Sequence, residues 1–197
     1  MSEYEELDTR LRAWLAEDGL WAREASRDGD NPVPDGGVHW QWVGSDDEVV
    51  ELDTTTMEYV NEGCSVSLRS REYFPNRFVS PLPQFAISTA EEVPIAVGGH
   101  IIRHDPAAAL ADIAGKLALL DHVAGWQHEL VDGDWWFSCS QAVLPDNDEP
   151  GSGCADEKRA GKPCDCGLDG RRLAVLRCVA AGYVERAGFK DTWRIDG

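Results

Sequence analysis

The chain has 197 residues, 43% of them hydrophobic, which suffices for one well-buried core. Its 36 acids outnumber its 18 bases, and a net charge of −18 repels nucleic acid and anionic lipid, so direct binding to either is not expected. No basic-then-apolar leader opens the sequence and no apolar run approaches the roughly 20 residues of a membrane span, so a cytoplasmic protein is expected.

The charge is unevenly spread. Residues 1–62 hold 17 acids and four bases, whereas residues 171–197 hold six bases and three acids. An acidic front of that kind keeps a protein soluble and attracts a basic protein partner.

Residues 2–26 carry Tyr4, Leu7, Leu11, Trp14 and Trp21 on one helical stripe, with Leu15 and Ala25 beside it. Residues 27–37 break that helix with turn chemistry at nearly every position. Alternation then predicts a strand over 38–43, with Trp40 and Trp42 on one face, and a short strand over 49–52 pairing with it. Residues 64–71 alternate again, with Cys64, Val66 and Leu68 pointing one way. Residues 78–80, 84–88 and 93–97 are further strand candidates, shortened by Pro75, Pro81, Pro83 and Pro94.

The best-marked helix follows over 105–124, entered from an extended lead-in that starts at His100. Asp105 is placed to cap it and Pro106 suits its first position, while Leu110, Ile113, Leu117, Leu120 and Ala124 line one face. Leu117 and Leu120 are expected to be buried. Residues 133–141 read as a strand and 145–170 as loop. A last helix over 171–185 places Leu173, Leu176, Ala180 and Tyr183 together, and Phe189 and Trp193 can pin the tail. The expected fold is α+β: one domain over 1–197, with a small antiparallel sheet packed against three main helices (2–26, 105–124, 171–185). Residues 139–170 form a Cys-rich subregion that a metal would stabilise.

Chemistry concentrates in that subregion. Cys154, Cys164 and Cys166 fall within 13 residues, and Cys139 lies upstream. Four thiolates on a loop without a core of its own are what a structural Zn²⁺ site requires, although Cys164-Asp-Cys166 departs from the usual two-residue spacer. Gly167 supplies the backbone freedom of a tight turn, and His122 and His128 are substitute ligands should Cys139 turn into the core. Free thiols and a disulfide are the alternatives. Cys64 and Cys178 sit on apolar faces and read as buried side chains. Gly151-Ser-Gly-Cys154 reads as a flexible turn. His100, His104 and Asp105 are the candidates for general-base or metal chemistry, against which stands the capping role of Asp105. No nucleophile elbow, phosphate loop, dinucleotide fingerprint or H-E-x-x-H helix is present.

Taken together, Val38-His-Trp-Gln-Trp42, the string His100-Ile-Ile-Arg-His-Asp-Pro106, Gly151-Ser-Gly-Cys154 and Pro163-Cys-Asp-Cys-Gly167 resemble an uncharacterised domain family of actinobacteria and their phages. The family's last helix commonly leads to a histidine that is missing after Tyr183, so no role is carried over for it. The resemblance implies a small accessory protein, phage or prophage encoded, and no particular reaction. The function expected is therefore that of a non-enzymatic interaction protein with an acidic surface for a protein partner and a zinc- or thiol-stabilised loop. A metal-dependent hydrolase using His100, His104 and Asp105, and a virion structural component, are the alternatives.

Overall fold

Ser2 starts the first helix, α1 (Glu3–Ala25). The Glu5 N–H donates to Ser2 Oγ at 3.2 Å and the Ser2 N–H donates to the Glu5 carboxylate at 2.7 Å, a reciprocal capping box spelled by Ser2-Glu-Tyr-Glu5. The computed structural model describes residues 2–50, 52, 65–76, 79–90 and 93–195. Cys64 and parts of the 49–52 and 78–80 strand candidates lie outside them. The chain forms two compact units, Leu15–Gly115 and Met1–Trp14 with Lys116–Gly197.

The first of these units holds an antiparallel sheet in the order β1 (Trp40–Val43), β2 (Val66–Phe74), β3 (Leu82–Ala90). Trp42 pairs with Leu68, and Leu68 with Ile87, so the alternating apolar side chains of three strands stack into one core face. Val38, Trp40, Trp42, Val66, Leu68, Phe74 and Val93 are buried in that cluster. Val49 bridges Val43, and the Val50 N–H donates to the Trp42 carbonyl at 2.9 Å, extending the outer edge of β1.

Residues 93–97 are not a strand, and 100–104 are not extended. Residues 95–97 and 100–103 belong to a fourth helix, α2 (Ile95–Arg103), entered from Pro94 at φ −55° and ψ 134° and ended at His104. The β-branched residues and Gly98-Gly99 argue locally against a helix, but tertiary packing overrides that preference. Gly98 and Gly99 are buried, and the Trp42 Nε1–H donates to the Gly98 carbonyl at 3.2 Å. A bare helix face lets the indole reach the backbone.

α3 (Pro106–Ala124) follows directly. Asp105 is 4% exposed, and both its oxygens are engaged: Oδ1 accepts the Ala108 N–H at 2.7 Å and Oδ2 the Trp40 N–H at 3.2 Å. One carboxylate thus caps α3 and anchors the start of β1. Gly37, at φ +85°, lets the chain pass where a Cβ would meet Leu110 Cδ1 at 2.9 Å.

In the other unit Trp14 stacks on Tyr183 at 5.4 Å and on Phe189 at 6.5 Å, and meets Trp193 edge-on at 6.3 Å. Phe189 and Trp193 therefore pin the tail through one aromatic cluster. The last helix begins earlier than periodicity suggests: α4 spans Leu168–Ala180, preceded by Gly167 at φ 76° and continued by a 3₁₀ turn over Ala181–Tyr183. Leu120 and Leu176 are fully buried.

Four residues fall short of the burial expected of them. Trp21 is 67% exposed and Ala25 is exposed, because the buried stripe continues through Ala22 and Ser26, about 100° around the helix from residues 21 and 25. Leu117 is only half-buried. Cys178 is exposed, on the face of α4 opposite Leu176 and Ala180. Residues 133–141 form turns and no strand, because their backbone groups bond to other loops: Cys139 N–H to Glu129 O at 2.8 Å, and Ala155 N–H to Trp135 O at 2.9 Å.

Candidate metal centre

Four side chains of the cysteine-rich region converge. His128, Cys139, Cys164 and Cys166 place one ligand atom each within 4.8 Å of one another, a group that could hold a metal ion. The separations are 3.9 Å between the Cys139 and Cys164 sulfurs and 3.5 Å between those of Cys164 and Cys166. His128 Nδ1 lies 3.5 Å from Cys139 Sγ and 3.7 Å from Cys166 Sγ. Cys139 is buried and the other three are half-buried.

The sequence singles out three of these four and offers His128 as a substitute for Cys139; the structure keeps Cys139 and sets His128 beside it. Cys154 stands apart, its Sγ facing the Asp156 carbonyl at 3.8 Å. His122 is also elsewhere, exposed and packed edge-on against Trp126.

Loop contacts explain how the ligands are held. The Ser140 N–H donates to Asp165 Oδ1 at 3.0 Å and the Ser140 hydroxyl to the Pro163 carbonyl at 2.8 Å, which ties Cys139 to the Cys164–Cys166 turn. Arg159 pairs with Asp165 Oδ2 at 2.7 Å and Asp156 at 3.2 Å, and donates to the Trp136 and Ser138 carbonyls. Gly151-Ser-Gly-Cys154 is no loose turn. A Cβ at Gly151, which has φ +86°, would stand 2.3 Å from the Gly161 nitrogen, and the Gly161 N–H donates to Ser140 O at 2.8 Å.

Electrostatics divide the thiols. Burial pushes the Cys166 thiol up, but the Glu129 N–H, the His128 ring, the Leu168 N–H and Cys139 outweigh it and bring the pKa to about 6. Leu168 opens α4, so the unpaired donors of a helix N-terminus face this sulfur. Burial raises the Cys139 thiol. His128 Nε2 lies 3.5 Å from Asp169 Oδ1, and a carboxylate on that side favours the tautomer with its lone pair on Nδ1, facing the sulfurs.

The other candidate group does not gather. The rings of His100 and His104 lie 4.3 Å apart and both residues are exposed, while Asp105 spends its oxygens on backbone N–H groups. Among the described residues they form no three-ligand set.

These features define an α+β protein with a His/Cys₃ group of metal-ligand geometry. The chain belongs to the family of unknown function DUF6221, whose model matches residues 5–195. No curated protein and no solved structure matches it.

Proposed function

We propose that the chain is a non-catalytic interaction protein in which a structural zinc ion fixes the region from His128 to Cys166. One observation carries this reading. A tetrahedral zinc with Zn–S of about 2.3 Å and Zn–N of about 2.05 Å has S···S edges of about 3.8 Å and S···N edges of about 3.6 Å. Four of the six separations run from 3.5 to 3.9 Å, and all six lie within 4.8 Å. Four protein ligands close the coordination sphere and leave no position for water or substrate, which favours a structural over a hydrolytic role.

The partner surface adjoins the centre. Trp135, Trp136 and Phe137, just before Cys139, are 48, 56 and 72% exposed, and Asp132 and Asp134 beside them are exposed as well. Aromatic faces rimmed by carboxylates suit a protein segment bearing Lys or Arg, through cation–π contact and charge together. Native mass spectrometry should find about one zinc per chain, lost to a strong chelator, in keeping with a single closed site. Tryptophan fluorescence should respond to a lysine-rich peptide, and that response should vanish in the Trp135→Ala, Trp136→Ala double variant. A chain that takes up no zinc, or a double variant that binds the peptide unchanged, refutes the corresponding half of the reading.

A further inference from the structure

The unit Leu15–Gly115 carries a cavity that neither the metal centre nor the aromatic face uses. It encloses about 450 Å³ between β1, β2 and α2, within the usual size of a small-molecule site. Trp42, Val50 and Ile102 give it apolar walls, and Gln41, Arg71 and Arg103 supply its polar groups. Neither guanidinium has a hydrogen bond or ion pair among the described residues, although the chain has twice as many acids as bases. Arg69, two residues before Arg71 on the same strand, shows the ordinary outcome: it pairs with Asp47 at 2.9 Å.

We infer that this cavity is a binding site for a small amphipathic oxyanion, a carboxylate or phosphate ester with an apolar body. Arg71 from β2 and Arg103 from α2 approach one space from two elements, and guanidinium N–H groups match paired oxyanion acceptors. Gln41 adds an amide donor. The apolar body lies along Val50 and Ile102, which are half-buried at the cavity wall. An oxyanion brought into this chain meets carboxylates over most of the surface. A site with two cations and, among the described residues, no carboxylate lining it is where such a ligand can rest.

A matched series of octanoate, octyl phosphate and octanamide, titrated calorimetrically into the full chain, tests the inference. Both anions should bind, and octanamide should bind about tenfold more weakly or not at all, the usual margin for a charge-assisted hydrogen bond. The tighter anion names the headgroup. Arg71→Gln and Arg103→Gln should each weaken the anions about tenfold and leave octanamide unchanged. Amide shifts on binding should centre on Val50 and Gly99, which line the cavity. Three results would overturn the proposal: no binding of either anion, equal binding of octanamide, or anion binding that survives both substitutions. Both arginines are exposed, so unfolding of a Gln variant would reveal an internal partner and refute the site as well.

Discussion

Arg159 and Asp165 meet at 2.7 Å across the cysteine-rich loop, and the second oxygen of Asp165 takes the Ser140 N–H. The Ser140 N–H, with Arg159 in support, holds the Asp165 carboxyl below the ordinary range for aspartate against the opposing effect of desolvation. Asp165 lies between two of the four proposed ligands and reaches the neighbour of a third. Asp165→Ala should therefore lower zinc affinity by about 10–100-fold, as loss of a supporting hydrogen bond to a metal site does. Competition with a chromophoric chelator measures it, and unchanged affinity would mean that the latch does not position the sulfurs.

The ligand set itself can be separated from its sequence neighbours. Cys154→Ser should retain one zinc per chain, because its sulfur faces a carbonyl and not the other thiols. His128→Ala should lose zinc or hold it far more weakly, since three ligands and a water replace a closed site. Zinc lost from the Cys154 variant and kept by the His128 variant would reverse the assignment.

Asp105 should tolerate little. Asp105→Ala removes the cap of α3 and leaves the Trp40 N–H without its acceptor, so a loss of about 1–3 kcal/mol is expected in urea unfolding. Asp105→Asn caps well in isolation, but here it must offer one amide NH₂ to a backbone N–H. It should cost about 1–2 kcal/mol, the penalty of an unsatisfied buried donor. A neutral Asn variant would show that one oxygen suffices.

Acid should weaken the sheet through Glu72. Its carboxylate meets His39 twice, taking the backbone N–H at 2.9 Å and standing 2.8 Å from Nδ1. Burial raises its pKa, but these contacts prevail and the net shift is downward. A carboxyl with a depressed folded pKa stabilises the fold above its unfolded value and loses that contribution as pH falls through the folded one. Glu72→Gln should therefore flatten the stability curve below about pH 4.5, the ordinary carboxylate value, and change it less at pH 7 than an outright deletion of the side chain. Parallel curves for both proteins across that range would contradict the linkage.

Leu120 is fully buried on α3 and Leu117 is half-buried three residues earlier. Leu120→Ala should cost about 2–5 kcal/mol, and Leu117→Ala clearly less, because less area leaves water at that position. Chemical denaturation giving equal losses would place both side chains in the same core environment.

The sequence carries α1, α3 and the Trp40–Trp42 strand openly, because capping residues and apolar period agree there. α2 is hidden: Pro94, two glycines and β-branched residues describe an edge strand, and only the approach of Trp42 to the Gly98 backbone makes the helix worthwhile. In the candidate site, Cys139, Cys164 and Cys166 are legible from residue type alone. His128 is legible only as a stand-in for Cys139, since it lies 11 residues before it in no standard spacer, and its turn toward the sulfurs beside Cys139 depends on loop contacts and Asp169. Cys154 misleads by proximity. Its neighbours Gly151 and Gly153 let backbones approach, and its sulfur faces the Asp156 carbonyl and not the other thiols.

Among the described residues β3 is an outer strand of the sheet, and it leaves Leu82 and Phe85 45 and 52% exposed. A bare strand edge with apolar side chains is a template on which a second chain can assemble. Pro83 removes one donor from that edge, and the register shifts along β2 and β3 twist it away from a flat ribbon. Mutual repulsion of molecules carrying −18 does the rest. Acidification removes the repulsion without altering the edge, so clumping in mild acid should begin at β3, and a lysine in place of Phe85 should delay it.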